Sequence, residues 1–115
     1  MSRTRHESTV RKLHGKAPIF AALGDPTRLT LLVKLGSGSL LSITRLAEDS
    51  ALSRQAITKH LRVLQQAGLV RGVRRGRENL FELEPERLEE ARRALDVISR
   101  QWDQALARLK SFVEE

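Results

Sequence analysis

The chain has 115 residues, with 21 Lys and Arg against 14 Asp and Glu, a formal charge of +7 and no cysteine. That length suits a single domain, residues 1–115, with a hydrophobic core of its own, and the lack of cysteine excludes disulfides, thiolate metal sites and thiol redox sensing. No apolar run approaches the length of a membrane span, and the opening MSRTRHESTVRKLHGK lacks the apolar segment of a signal peptide, so a cytoplasmic protein without a membrane partner is expected.

Residues 1–16 are polar and basic without clear periodicity and read as a flexible basic tail. His6 and His14 lie in it without a neighbouring carboxylate cluster, which gives a metal ion little to bind. Ile19, Phe20, Ala22 and Leu23 suit a short helix broken at Gly24. Asp25-Pro26 then starts another, Asp as N-cap and Pro at the first helical position. It is expected from Thr27 to about Leu35, burying Leu29, Leu32, Val33 and Leu35. Gly36-Ser37-Gly38-Ser39 is a loop. Ser42 caps a helix from Ile43 to about Asp49, with Ile43, Leu46 and Ala47 inward. Ser50-Ala51-Leu52 is a tight turn, in which Leu52 is expected to plug the angle to the next helix.

That next helix, SRQAITKHLRVLQQAGL from Ser53 to about Ala67, is the centre of the chain. Ser53 is a good N-cap, and Ile57, Leu61 and Leu64 repeat at i, i+4, i+7 to form one apolar face. Gly68 suits a left-handed C-terminal cap, with Leu69 folding back onto the last turn. The opposite face carries Ser53, Arg54, Gln55, Thr58, Lys59 and Arg62 and no acid. A helix face exposed only to solvent normally mixes charges for i,i+4 pairing. Arg and Gln can bond base edges in pairs, while Lys and Arg neutralise phosphates. Two short helices joined by a tight turn, the second basic on its outer face, read as a helix-turn-helix.

Beyond Gly68, Val70 and Val73 lead into Arg74-Arg75-Gly76-Arg77, and Asn79 to Leu83 place Phe81 and Leu83 on one face. This is a β-hairpin tipped with arginines, a wing whose Arg74, Arg75 and Arg77 suit phosphates or the minor groove. From Arg54 to Arg77 there are seven Lys and Arg residues and no acid, whereas from Pro85 onward six basic residues meet seven acidic ones. That asymmetry favours a polyanion bound at one defined place. Three Phe, one Trp and no Tyr are too few rings for a single-strand stacking platform.

A final helix is expected over residues 85–113. Leu88, Ala91, Leu95, Ile98, Trp102, Ala105, Leu109 and Phe112 follow at steps of 3 and 4, a heptad seam. At about 1.5 Å per residue such a helix is roughly 40 Å long, more than this domain needs for its own core. A seam between two protomers is the expected use, and packing within one chain is the alternative.

The stretches FAALGDPTRLTLL, SRQAITKHLRVLQQAGLV and RRGRENLFEL resemble, in order and spacing, the ArsR/SmtB winged-helix repressors. The resemblance implies a mainly α fold with a small β-hairpin, a winged helix-turn-helix of order α-α-α-α-β-β-α. It also implies a homodimer joined through the first and last helices, Phe20 among them, that binds an imperfect palindrome in double-stranded DNA and blocks transcription. His60 stands where that pattern has a histidine in the recognition helix, with a structural hydrogen bond as its implied role. Metal-sensing members carry cysteines where this chain has Ser42 and Thr44, and others bind zinc between the last helices through Asp and His. Here Asp96 and Asp103 are present, but no histidine follows His60, so no metal and no cofactor are expected. The tail WDQALARLKSFVEE is similar to a branch that does not sense metals. A small-molecule effector is left open.

A basic architectural or RNA-binding module is the competing reading, although the deep, narrow major groove of RNA suits this helix less well. An enzyme finds no support. There is no cysteine nucleophile, no serine in a nucleophile elbow and no His–carboxylate pair at a readable spacing.

Overall fold

Three of the helices start where a short polar side chain accepts a backbone N–H that would otherwise have no partner. In the computed structural model, which describes residues 5–114, the Asp25 carboxylate accepts from Arg28 N at 3.0 Å. Ser42 Oγ accepts from Arg45 N at 3.2 Å, and Ser53 Oγ accepts from Ala56 N at 3.1 Å. The elements are α1 (Arg5–His14), α2 (Ala17–Leu23), α3 (Pro26–Leu35), β1 (Leu41–Ser42), α4 (Ile43–Ala47), α5 (Arg54–Gln66), β2 (Val70–Arg75), β3 (Glu78–Leu83) and α6 (Pro85–Glu114). The fold is the expected one, mainly helical with a small antiparallel hairpin.

Two elements were not foreseen. Residues 5–14, expected as part of a flexible tail, form α1; residues 1–4 lie outside the described residues. With Val10 and Leu13 its main apolar side chains, α1 lacks a legible apolar stripe, but it places Glu7 in its first turn and Arg11, Lys12 and His14 in its last, which suits the helix dipole. The second is β1, whose Leu41 and Ser42 pair with Phe81 and Leu80, so the sheet has three strands in the order β1-β3-β2.

The core gathers Ile19 and Ala22 of α2, Leu31 and Leu35 of α3, Leu46 of α4, Ile57, Leu61 and Leu64 of α5, then Leu69, Val70, Phe81 and Ala91. Here α3 departs from expectation. Leu31 and Leu35 are buried and Leu32 is partly so, while Leu29 is 49% and Val33 78% exposed. The cause is Arg28, which shares a stripe with Leu31 and Leu35 and turns inward. Its Nε donates to Ala22 O at 2.6 Å and its Nη2 to Ala21 O at 3.4 Å, satisfying carbonyls at the end of α2. Leu52 does not plug the angle between α4 and α5 but stays exposed. Leu46 and Ile57 are the buried residues there, and the turn runs through a left-handed Asp49 (φ 62°) with a bond from Leu52 N to Ser50 Oγ. Lys34 fixes α4 from α3, donating to Leu46 O and Glu48 O at 3.1 Å each.

The end of α5 is a Schellman motif. Leu69 N donates to Leu64 O and Gly68 N to Gln65 O, both at 2.9 Å, with Gly68 at φ 76°. A Cβ at Gly68 would also stand 3.0 Å from Arg87 Cγ. Leu69, folded back, is fully buried.

Candidate nucleic-acid interface

Recognition of a duplex needs a rigid element carrying donors that nothing inside the protein has claimed. Full burial of Ile57, Leu61 and Leu64, at about 1.5–3 kcal/mol each, fixes the rotation of α5 about its axis. Arg54, Gln55, Lys59 and Arg62 consequently stand exposed on its outer side. Among the described residues no carboxylate pairs with Arg54, Lys59, Arg62, Arg74, Arg75 or Arg77.

Two members of this face are partly engaged. Thr58 is half-buried and its hydroxyl donates to Arg54 O at 2.8 Å, leaving the oxygen's lone pairs to accept. Ser53 Oγ accepts the cap bond, and its own proton stays free to donate.

The wing is a two-residue hairpin. Arg75 pairs with Glu78 across Gly76-Arg77, and Gly76 takes φ 59° at the first turn position, a positive value that glycine accepts without strain. Arg75 and Arg77 are exposed, and Arg74 Nε reaches Gly76 O at 3.4 Å. Arg71, counted in the basic stretch by sequence, is withdrawn from it. Its guanidinium pairs with Glu82 and Glu84 on β3 and the following residue, and chiefly the hydrogen bond to Glu82 raises its pKa above the ordinary arginine value.

A polar cluster ties α5 to the helices behind it. His60 Nδ1 lies 3.3 Å from Arg28 Nη1 and 3.7 Å from Asp25 Oδ2. A guanidinium only donates, so the Arg28 contact makes Nδ1 the acceptor in the neutral ring. The Asp25 carboxyl is held below its usual range, first by the Arg28 backbone N–H and then by the charge of Arg28. His60 thus has the structural contact that its position implies, and sequence reasoning missed its partner, Arg28. The signal was there: a charged residue on the stripe of Leu31 and Leu35.

Of the seam residues, Leu88 and Ala91 pack on the chain's own core. Beyond them the seam separates from the domain. Leu95, Ala105 and Leu109 are exposed, Trp102 is 66% and Phe112 77% exposed, and Ile98 is half-buried. Packing within one chain therefore does not cover Trp102. Phe20 is already partly buried against the core of its own chain. No helix among the described residues is long and apolar enough to cross a membrane, and no three His, Asp or Glu among them gather to hold a metal ion.

Comparison with known proteins agrees with this geometry. The family model described as a helix-turn-helix domain matches residues 23–73. An ArsR-like transcriptional regulator from Rhodococcus sp. RHA1 superposes with a TM-score of 0.69 at 41% identity, over 84% of this chain and 91% of that one. The HTH-type transcriptional regulator Rv2034 of Mycobacterium tuberculosis is 34% identical over 93 residues, 81% of this chain and 83% of its own length. A homodimeric winged helix-turn-helix DNA-binding domain from Mycobacterium bovis, Mb0332, shares the fold at 19% identity with a TM-score of 0.60, over 88% of this chain and 90% of that one. The chain belongs to the ArsR family of winged helix-turn-helix transcriptional regulators.

Proposed function

We propose that this regulator is a cytoplasmic homodimeric repressor that binds an imperfect inverted repeat in double-stranded DNA. The observation that carries the reading is the outer face of α5, rigidly placed, rich in unclaimed donors and continuous with an arginine-tipped wing. In this reading Ser53, Arg54, Gln55, Thr58 and Lys59 face the major groove. Arg62, Arg74, Arg75 and Arg77 hold backbone phosphates or enter the minor groove.

Dimerisation is assigned to Leu95, Ile98, Trp102, Ala105, Leu109 and Phe112, with Phe20 at the edge. The exposed apolar stripe of α6 supports this, as does the homodimeric state of the M. bovis fold neighbour. Two recognition helices held at a fixed separation match two half-sites.

The switch, in this reading, does not sense metal. Ser42, at one implied ligand position, is spent on capping α4, and hydroxyls and lone carboxylates hold zinc weakly. Zinc at stoichiometric concentration is expected to leave DNA affinity unchanged in a titration. A tenfold loss reversed by chelator would contradict this. Any effector would then be a small molecule rather than a metal.

The whole reading is tested by titrating the protein onto inverted repeats flanking its own coding region, with scrambled duplex and RNA of equal length as competitors. A preference of about 10³ or more for one repeat is expected. Equal affinity for all three would favour the architectural or RNA-binding alternative.

A further inference from the structure

A helix in the major groove and a wing over the adjoining minor groove must have something between them, the sugar–phosphate strand that divides the two grooves. In this chain the space between α5 and the hairpin is an open groove of about 380 Å³. One wall is the α5 stripe Thr58, Arg62 and Gln65; the other is Gly72, Arg74 and Asn79 of the hairpin; no acid lines it. Arg74 and Asn79 are directly opposite partners on β2 and β3, so their side chains leave the sheet on the same face.

The chemistry of this groove is layered. Its floor is apolar, from Ile43, Leu61 and Phe81, and its rim holds two guanidinium groups and two carboxamides. Among the described residues the side chains of Arg62, Gln65 and Asn79 have no hydrogen-bond or ion-pair partner, and Arg74 has only the long contact to Gly76 O. A Cβ at Gly72 would stand 3.3 Å from Gln65 Nε2, so the bare backbone there leaves room for the carboxamide. An apolar floor under a rim of donors matches a deoxyribose ring with its phosphate oxygens above it.

We propose that this groove seats one deoxyribose-phosphate unit of duplex DNA, that Gln65 and Asn79 are DNA-binding residues, and that Arg62 and Arg74 neutralise the same phosphate. The proposal rests on the assignment of α5 and the wing as a duplex-binding pair. It adds that helix and wing clamp one strand together, so the wing sets the depth at which α5 enters the major groove.

Phosphate contacts carry no sequence information, so the full chain can be tested on a random-sequence duplex across a range of salt. Gln65→Ala and Asn79→Ala should each weaken binding roughly tenfold with the salt slope unchanged, because a lost neutral donor releases no counterion. Gln65→Glu, of the same shape, should weaken it further. The slope counts neutralised phosphates. Arg62→Gln or Arg74→Gln alone should therefore flatten it by well under 0.9, and the double variant by about 0.9 per bound protomer. Losses of about 0.9 for each arginine, summing in the double variant, would place them on separate phosphates and overturn the shared seat. Wild-type affinity in both amide variants, at unchanged melting temperature, would overturn the roles of Gln65 and Asn79. Displacement of the duplex by polyglutamate of equal charge would assign the groove to an acidic peptide. Wild-type protein that ignores duplex DNA altogether would sink both the seat and the assignment on which it rests.

Discussion

Two amphipathic helices, α5 and α6, leave opposite things outside the fold. In α5 the apolar residues Ile57, Leu61 and Leu64 are at most 1% exposed, and what remains outside is charge without counter-charge. In α6 only Ala91 and Ala94 are buried. Its charges are of both signs, some of them in i,i+3 and i,i+4 pairs such as Arg92–Glu89 and Lys110–Glu114, and it also leaves a stripe of apolar surface outside. Unscreened positive charge attracts a polyanion, whereas an apolar stripe with a heptad repeat favours another such helix. In the proposed reading one helix faces DNA and the other a second copy, so substitutions in the two should fail in different assays.

The largest expected effects separate the helices directly. Leu61→Ala removes a fully buried side chain and should cost about 2–5 kcal/mol of fold stability, read as a lower melting temperature. Trp102→Ala should cost about 3–5 kcal/mol at the dimer contact instead. It should shift sedimentation towards monomer and weaken inverted-repeat binding, while half-site binding by folded protein stays close to wild type. A Trp102→Ala protein that stays dimeric would break the comparison and move the dimer contact elsewhere.

Within the DNA face, Gln55 is expected to read a base. Gln55→Ala should cost about 1–3 kcal/mol on the operator and leave random duplex almost untouched in the same binding assay. The wing should behave the other way. Arg75→Ala and Arg77→Ala should weaken every duplex about equally, and each lost phosphate contact should flatten the slope of log affinity against log salt by about 0.9. A changed base preference with an unchanged slope would make the wing a sequence reader.

The smallest effect concerns the cluster behind α5. The folded-state pKa of Asp25 lies below its usual value of 3.8. Its carboxylate therefore stabilises the fold fully above that value, and the contribution fades as pH falls through the lower folded-state pKa. Asp25→Asn keeps a capping oxygen but removes the titration. The gap in melting temperature between wild type and variant should hold steady from pH 7 to about pH 4 and close below that. A gap that widened in acid would contradict the assigned cause.

The legible parts of the fold were those written in local chemistry. Asp25, Ser42 and Ser53 mark helix starts by their capping oxygens, Gly68 marks a helix end by its left-handed backbone, and the i, i+4, i+7 spacing of α5 gives its buried face. Features set by distant partners were not legible. Arg28 turns inward because carbonyls of α2 and the His60 ring wait there, and that rotates α3 away from Leu29 and Val33. Arg71 looked like part of the basic stretch until the register of the hairpin placed Glu82 opposite it. The groove residues Gln65 and Asn79 escaped for a similar reason. Neither carries charge, and only the packing of α5 on the sheet brings them to one place.

Enrichment of duplexes from a random-sequence pool by the wild-type protein tests the central claim most directly, because it asks whether two copies of α5 are held apart at a fixed distance. The expected product is an inverted repeat whose half-sites are centred one helical turn apart, about 10–10.5 base pairs, or a multiple of it. Enrichment of a single unrepeated site, or of no sequence at all, would contradict the account of a dimer built on α6 and reading DNA through α5.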